Sequence, residues 1–177
     1  MVGVAIVSIT LAAGAPSFSS YLQSRQIRNA AEAIQNGLNL ARSEAVRRNT
    51  YVQFALANDF SWTVGCATAS TNCPAAIQTR PATDGAKNAS VATSQVVAST
   101  GSVAGTAVFT NTLSFNGFGK VSTLPAGNNA VLDISNPTGG TCATTGGTMR
   151  CLRVVVSPGG QIRMCDAKLA SSNPQAC

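Results

Sequence analysis

The N-terminal segment of the chain carries one hydrophobic pattern that changes character partway along. Residues 1–24 contain no charged side chain, and residues 1–15 are apolar or small almost throughout. Between Ile27 and Ala45 the apolar residues instead recur at steps of three and four, which places them on one face of a helix. We therefore predict one continuous helix that ends near residues 48–49. A helix of about fifty residues is too long for an ordinary globular domain, so its two halves must occupy different surroundings.

The N-terminal half is predicted to insert into a membrane. Residues 1–18 would span about 27 Å as a helix, slightly less than the ~30 Å hydrocarbon core of a bilayer. A cleaved signal peptide is one alternative, because Ala13-Gly14-Ala15 resembles a cleavage site, but no basic residue precedes the apolar run. A buried helix of a soluble core is another alternative, which the apolar character on all sides disfavours. The residues expected to contact lipid or neighbouring helices are Val4, Ile6, Val7, Ile9, Leu11, Pro16 and Phe18.

The C-terminal half of the helix is predicted to pack on a globular head through one apolar stripe. Its polar face offers two ion pairs at the i, i+4 spacing, Arg28–Glu32 and Glu44–Arg48, each worth about 0.2–0.5 kcal/mol. Gly37 is a weak point that costs about 1 kcal/mol relative to alanine. The residues of the docking stripe are Ile27, Ala31, Ile34, Leu38, Ala41 and Ala45.

The head is predicted to be rich in β-strands. After residue 49, β-branched and aromatic residues show a rough alternation, and clusters of glycine, proline and asparagine separate the runs. The chain therefore divides into a membrane part (residues 1–24), a docking part (residues 25–49) and a head (residues 50–177). One long helix followed by an antiparallel sheet is an α+β arrangement. The predicted strands are residues 50–57, 60–67, 90–98, 106–110, 112–115, 130–135, 151–157 and 161–165.

The composition argues against an enzyme. The chain has no histidine, which removes Ser-His-Asp triads and most catalytic zinc sites. Its six carboxylates are scattered, and the sequence contains no phosphate-binding loop or dinucleotide fingerprint. We therefore expect no catalytic residues, no cofactor and no metal. Twelve cations against six carboxylates give a net charge of +6, which suits an acidic partner without identifying one.

The six cysteines fall into three pairs of sequence neighbours. Their spacings are not the C-x-x-C of zinc ribbons or redox sites. Among the many pairings that six cysteines allow, the three most local are predicted because short loops close most easily. These are Cys66–Cys73, Cys142–Cys151 and Cys165–Cys177. Disulfides imply an oxidising compartment such as the periplasm or the cell exterior, the alternative being six reduced thiols in a cytosolic protein.

Several stretches of the sequence resemble minor pilins and pseudopilins of the FimT/FimU and GspH kind. The opening Met-Val-Gly-Val-Ala-Ile-Val resembles the family, as do Ala-Pro-Ser-Phe at residues 15–18 and Leu-x-x-Ala-Arg-Ser-Glu-Ala at the helix end. Trp62 on the second strand, Phe115 before Gly117, and the closing residues 160–166 also fit the family. The resemblance is strong over residues 1–65 and looser beyond them, apart from the tail.

The sequence departs from this family at its start. Members usually open with a short basic leader and Gly-Phe-Thr-Leu-Ile-Glu-Leu, which a dedicated peptidase cuts after the glycine. That block is absent here, so neither the cleavage site nor the glutamate used in filament packing can be assigned to a residue. We expect that the start was placed at an internal methionine or that this is a processed form.

The resemblance implies a minor pilin that helps to initiate or decorate a type IV pilus and catalyses nothing. Alternatives are a pilus-associated DNA-binding subunit in natural transformation, a type II secretion pseudopilin, and a free-standing periplasmic binding module. The implied partners are major and minor pilins, the pilus assembly platform and the lipid of the inner membrane. The implied location is the inner membrane with a periplasmic head, followed by the extracellular pilus.

DNA is a further candidate partner. Relatives that bind DNA carry basic residues in the closing hairpin and tail. Here Gln161 occupies a position that is arginine in that pattern, and the region lacks aromatic residues for stacking, so binding is expected to be weak and non-specific. Other cations are expected to serve lipid headgroups or helix termini instead, namely Arg25, Arg28, Arg47 and Arg48. The candidate DNA-binding residues are Arg150, Arg153, Arg163 and Lys168.

Overall fold

The computed structural model describes residues 2–98 and 111–177, with side chains from residue 19 onward. The chain begins with one helix, α1 (Val2–Arg48). The helix ends in a left-handed turn at Asn49, whose φ is 49°. The N–H of Thr50 donates to the carbonyl of Ala45 at 3.2 Å, and the N–H of Asn49 donates to that of Val46 at 3.3 Å. This hydrogen-bond pattern closes the helix as the change of sequence period predicts.

The first sheet follows the helix directly and is antiparallel. The hairpin of its first two strands turns at Asp59, which accepts hydrogen bonds from the hydroxyl and the N–H of Ser61 at 2.6 and 3.0 Å. These hydrogen bonds, the hydroxyl's first, lower the pKa of the Asp59 carboxyl. Phe60 lies in the turn with a φ of 71°. In the order β3-β2-β1-β5, the strands are β1 (Val52–Leu56), β2 (Trp62–Cys66), β3 (Gln78–Arg80) and β5 (Thr112–Phe115).

The second sheet is also antiparallel and contains the closing hairpin. Its inner face carries Leu132 and Val154, which are cross-strand partners and almost fully buried. The chain leaves this sheet at Asn136 into a short 3₁₀ turn, Pro137–Gly139, and a second such turn, Ala143–Thr145, precedes the hairpin. In the order β4-β6-β7-β8, the strands are β4 (Ser90–Val97), β6 (Asn128–Ser135), β7 (Leu152–Val156) and β8 (Ile162–Cys165).

The core lies between α1 and both sheets. The docking half of the helix contacts β1 and β2 of the first sheet and β7 and β8 of the second. Phe54, Phe115 and Ile134 are among the largest fully buried side chains. Complete burial of a side chain of this size contributes about 1.5–3 kcal/mol. The helix is therefore the element that joins the two sheets into one head.

The structure differs from the sequence-based strand assignment in three places. The predicted head has one antiparallel sheet, whereas the strands divide between two four-stranded sheets. The strand β3 was not predicted, because its three residues, Gln-Thr-Arg, are polar and show no apolar alternation. The predicted strand at residues 60–67 begins only at Trp62, since Phe60 belongs to the turn. The predicted strand at residues 106–110 lies outside the described residues.

Candidate assembly site

The docking face of α1 is buried against the head, as its apolar stripe predicts. All six residues of the stripe have no exposed surface: Ile27, Ala31, Ile34, Leu38, Ala41 and Ala45. Four of the flanking residues on the opposite side of the helix, Arg28, Glu32, Asn36 and Asn39, are exposed. The pairs Arg28–Glu32 and Glu44–Arg48 are confirmed, with N···O distances of 3.0 and 2.7 Å.

Gly37 allows the helix to approach the first sheet closely. A Cβ atom at this position would lie 2.7 Å from Cε2 of Phe54 and 3.2 Å from Cε2 of Trp62. The two aromatic rings pack against each other with centroids 5.7 Å apart. The sequence marks Gly37 as a weak point of the helix, but the structure shows that its missing side chain is needed for packing.

Gln23 joins the N-terminal part of the described helix side chains to the head. Nδ2 of Asn136, which is fully buried, donates to Oε1 of Gln23 at 2.6 Å. Oδ1 of the same Asn136 accepts the N–H groups of Thr138 and Gly139 at 3.1 and 3.3 Å. One asparagine thus caps the 3₁₀ turn and fastens it to the helix. The run Asn-Pro-Thr-Gly-Gly at residues 136–140 is typical of a turn, but nothing in it indicates a contact with Gln23.

The helix leaves the head on the N-terminal side of this contact. Tyr21 and Leu22 are 52 % and 45 % exposed. The predicted membrane and assembly residues Val4, Ile6, Val7, Ile9, Leu11, Pro16 and Phe18 all lie within α1, and their side chains fall outside the described part. Within the described part of the chain, no helical stretch has the length and apolar character that crossing a bilayer requires.

Three disulfides join the cysteine pairs that sequence proximity predicts. Cys66–Cys73, Cys142–Cys151 and Cys165–Cys177 have Cα–Cα distances of 5.7, 5.5 and 5.1 Å. The tail after β8 is held by Cys165–Cys177. It is also tied by a hydrogen bond from the N–H of Asp166 to the carbonyl of Gln175 at 2.8 Å. Nη2 of Arg163 on β8 also donates to the carbonyl of Cys177, so the end of the chain is fastened to the closing hairpin at three points.

The C-terminal end of the helix is tied to the first disulfide loop. Arg47 and Arg48 both donate to Glu44, at 2.6 and 2.7 Å. These hydrogen bonds, that from Arg47 first, lower the pKa of the Glu44 carboxyl below its ordinary value. Nη1 of Arg48 also donates to the backbone carbonyl of Asn72, inside the loop that Cys66–Cys73 closes. Glu44 therefore organises the contact between helix end and loop.

Two of the four predicted DNA-binding cations are paired with carboxylates. Nε of Arg150 donates to Oδ2 of Asp166 at 2.6 Å. Nε and Nη2 of Arg153 donate to the two carboxylate oxygens of Asp133 at 2.7 and 3.0 Å. The positive charge that the sequence assigns to this region is therefore partly neutralised within the chain.

The other two cations are exposed. Nη2 of Arg163 donates to the backbone carbonyl of Cys177 at 2.9 Å, and Lys168 is exposed beyond β8. Arg153 and Arg163 share one face of the sheet, because Val155 on β7 pairs with Arg163 and strands alternate. Arg150 instead lines a cleft beside the helix. The structure thus does not bring all four predicted cations together on one surface.

The arginine cleft, as we name it, lies between α1 and the closing hairpin. It has a volume of about 380 Å³. Arg25 and Arg28 line it from the helix, and Arg150 lines it from the segment before β7. Leu152 and Met164 form its apolar part. No local sequence pattern indicates this cleft, because Arg150 is distant in sequence from Arg25 and Arg28.

The described residues offer no arrangement for metal binding: no three Cys, Asp or Glu side chains of residues 19–98 and 111–177 lie together as ligands.

A long helix docked by one face on a disulfide-stapled antiparallel head is the architecture of pilin-like subunits. The sequence also matches the family model described as type II transport protein GspH over residues 30–160, and the chain belongs to that family. It is therefore a pilin-like protein of the GspH family.

Solved structures of minor pilins share the fold. Two crystal structures of the type IV minor pilin FimU of Pseudomonas aeruginosa PAO1 superpose with TM-scores of 0.51 and 0.53, at 20 % and 21 % identity. Both cover 85 % of this chain, and the match covers 98 % and 94 % of theirs. The minor pseudopilin EpsH of the Vibrio cholerae type 2 secretion system has a TM-score of 0.53 at 13 % identity, covering 81 % of this chain and 99 % of its own. No curated protein sequence matches the chain significantly.

Proposed function

We propose that this chain is a minor pilin that helps to initiate or decorate a type IV pilus. The observation that supports it best is the one-sided burial of the helix. From Ile27 onward the helix buries one face in its own head, whereas Tyr21 and Leu22 just before the head are exposed. The apolar residues 1–18 that precede them call for another apolar surface, either lipid or the helix of another subunit.

In this proposal, three consecutive segments of the chain have different roles. Residues 1–24 anchor the subunit in the inner membrane and later pack against the helices of major and minor pilins. Residues 25–49 hold the helix on the head, and residues 50–177 form a rigid head in the periplasm and then outside the cell. The inner-membrane assembly platform would move the subunit from the membrane into the pilus. The pilus is favoured over secretion by the six cysteines and the cysteine-closed tail, which resemble the pilus branch.

A deletion of the gene separates the pilus role from the secretion role. Deletion cells should carry fewer pili in electron micrographs while secreting type II substrates at the wild-type level, and the wild-type gene should restore piliation. Normal piliation together with a secretion defect would instead assign the chain to a type II secretion pseudopilin.

DNA binding is the second candidate function, supported by the exposed cations Arg163 and Lys168. Arg150 lines a cleft beside the helix, away from the sheet face that carries Arg153 and Arg163, so few of the four cations can contact one duplex and a dissociation constant of about 10⁻⁴–10⁻⁶ M is expected. Fluorescence anisotropy with a labelled duplex at two salt concentrations tests this role. Binding that weakens with salt and is lost on combined Arg163→Gln and Lys168→Gln would support it. No binding at low salt by the folded, oxidised chain would refute it.

A further inference from the structure

We propose that the arginine cleft binds the headgroup phosphate of an anionic phospholipid. The inference rests on the proposed membrane anchoring of residues 1–24 and adds a site on the head itself. Three guanidinium groups line the cleft, those of Arg25, Arg28 and Arg150, and one carboxylate, that of Asp166. Guanidinium groups match phosphate oxygens through paired hydrogen bonds, so this lining is suited to a phosphate.

Two of these arginines keep hydrogen-bond donors available. Arg28 uses Nε for Glu32, at 3.0 Å, and Arg150 uses Nε for Asp166, at 2.6 Å. Both side chains are 62 % exposed. Among the described residues, neither guanidinium shows a hydrogen bond from its Nη groups. These groups are therefore free to donate to a ligand in the cleft.

The cleft is also held in shape before any ligand arrives. Asp166 is 3 % exposed and accepts the backbone N–H of Lys168 at 2.9 Å, which fixes the carboxylate that positions Arg150. On the helix side, Nε of Arg25 donates to the hydroxyl of Tyr21 at 2.8 Å, and its guanidinium lies 4.9 Å from the ring centroid. A site held in this way loses little side-chain freedom when it binds a ligand.

The position along the helix favours a lipid over other phosphates. Arg25 follows the end of the predicted membrane segment, Phe18, by seven residues, or about 10 Å of helix. The headgroup layer extends roughly 5–7 Å beyond the hydrocarbon core. Side chains on a helix lean toward its N-terminus, and long cationic side chains reach toward the headgroups. Leu152 and Met164 supply an apolar wall for the glycerol and first acyl carbons.

Native mass spectrometry of the full chain in a non-ionic detergent tests this inference. The chain is mixed with equal amounts of phosphatidylglycerol and phosphatidylcholine, and the bound lipid is counted. Wild type should retain phosphatidylglycerol in preference. Each cation near a membrane surface contributes a factor of about five in affinity, so Arg150→Gln should lower retention about five-fold and the triple Arg25, Arg28 and Arg150 to Gln variant about a hundred-fold.

Lys120→Gln is the matched control, because it removes one exposed charge outside the cleft and should leave retention unchanged. The Arg150 variant is the most informative one, because Arg150 belongs to the head. If the lipid were attracted only by the basic residues of the helix, replacing Arg150 would not change its retention. Equal retention of the two lipids, or equal losses for Arg150→Gln and Lys120→Gln, would overturn the proposal.

Two competitors separate the sources of phosphate. Displacement of the lipid by an equal concentration of inorganic phosphate would assign the cleft to a free ion. Displacement by a DNA duplex that depends on the same three arginines would assign it to nucleic acid, and either result overturns the lipid assignment. A chain that lacks lipid preference but still enters pili contradicts this inference alone. A chain that binds lipid but is absent from pili contradicts the proposed function instead.

Discussion

Replacing Gly37 by alanine should destabilise the protein, although alanine is the better helix former. In an exposed helix the exchange would stabilise by about 1 kcal/mol. Here the new Cβ would lie 2.7 Å from Phe54 Cε2 and 3.2 Å from Trp62 Cε2. Phe54 is 1 % exposed and packs on Trp62, so its ring has little room to move away.

The expected change in the free energy of unfolding is the steric cost of the new Cβ minus the gain in helix propensity. Overfilling a packed core costs about 1–3 kcal/mol, so Gly37→Ala should lower the free energy of unfolding by about 1 kcal/mol. Gly37→Val adds two more methyl groups and gains less helix propensity, so it should lose about 2 kcal/mol or more. The series should therefore run from glycine through alanine to valine in decreasing stability.

Urea unfolding followed by tryptophan emission measures the series directly, because Trp62 is the single tryptophan of the chain and borders Gly37. A loss of 1 kcal/mol should lower the midpoint by about 0.3–1 M urea. Asn39→Ala is the matched control on the same helix, since Asn39 is exposed and alanine there should stabilise by a few tenths of a kcal/mol. A Gly37→Ala midpoint that rises as in the control would refute the close helix–sheet approach.

Three further predictions follow from the same contacts. Ile34→Asp places an unpaired charge at a position with no exposed surface, and should cost about 4 kcal/mol or more in unfolding free energy; a midpoint within error of wild type would contradict the docked helix. Glu44 has a lowered pKa in the folded chain, so its contribution to stability is complete above its unfolded-state pKa and is lost as pH falls through the folded-state value. Glu44→Gln should therefore have a lower free energy of unfolding than wild type at neutral pH and an equal one in strong acid. A difference between the two proteins that grows on acidification would contradict the lowered pKa of Glu44. Non-reducing peptide mapping should yield Cys66–Cys73, Cys142–Cys151 and Cys165–Cys177, and replacing the last pair by serine should cost about 2 kcal/mol, at the low end for a short loop; free thiols in protein from the periplasm would contradict it.

The elements that the sequence predicts well are those with local signals. The apolar residues of the docking stripe recur at steps of three and four over five turns, so the buried face of α1 could be predicted without any knowledge of the sheets. The disulfides pair neighbours in sequence, and the closing hairpin is marked by Pro158-Gly159-Gly160. Each of these features depends on residues close together in the chain.

The features that sequence reasoning missed depend on residues far apart. Nothing in the three polar residues of β3 distinguishes them from a loop, because their strand character comes from pairing with β2. The hydrogen bond between Asn136 and Gln23 joins positions 113 residues apart. Arg150 was assigned to a DNA-binding surface from charge alone, whereas the pairing of β7 with β8 brings it beside Asp166, 16 residues further along the chain.

The content of sheared pili is the most direct test of the proposal that this chain is a minor pilin. Cells expressing the chain from its native locus are sheared, and the purified pili are blotted with an antibody against the head. The chain should be present in the pilus fraction in smaller amount than the major pilin. The Ile6→Asp variant should be missing from this fraction while remaining in the cells as a folded protein with three disulfides. A wild-type chain absent from the pili of a normally piliated strain, or an Ile6→Asp variant that enters them as wild type does, would contradict it.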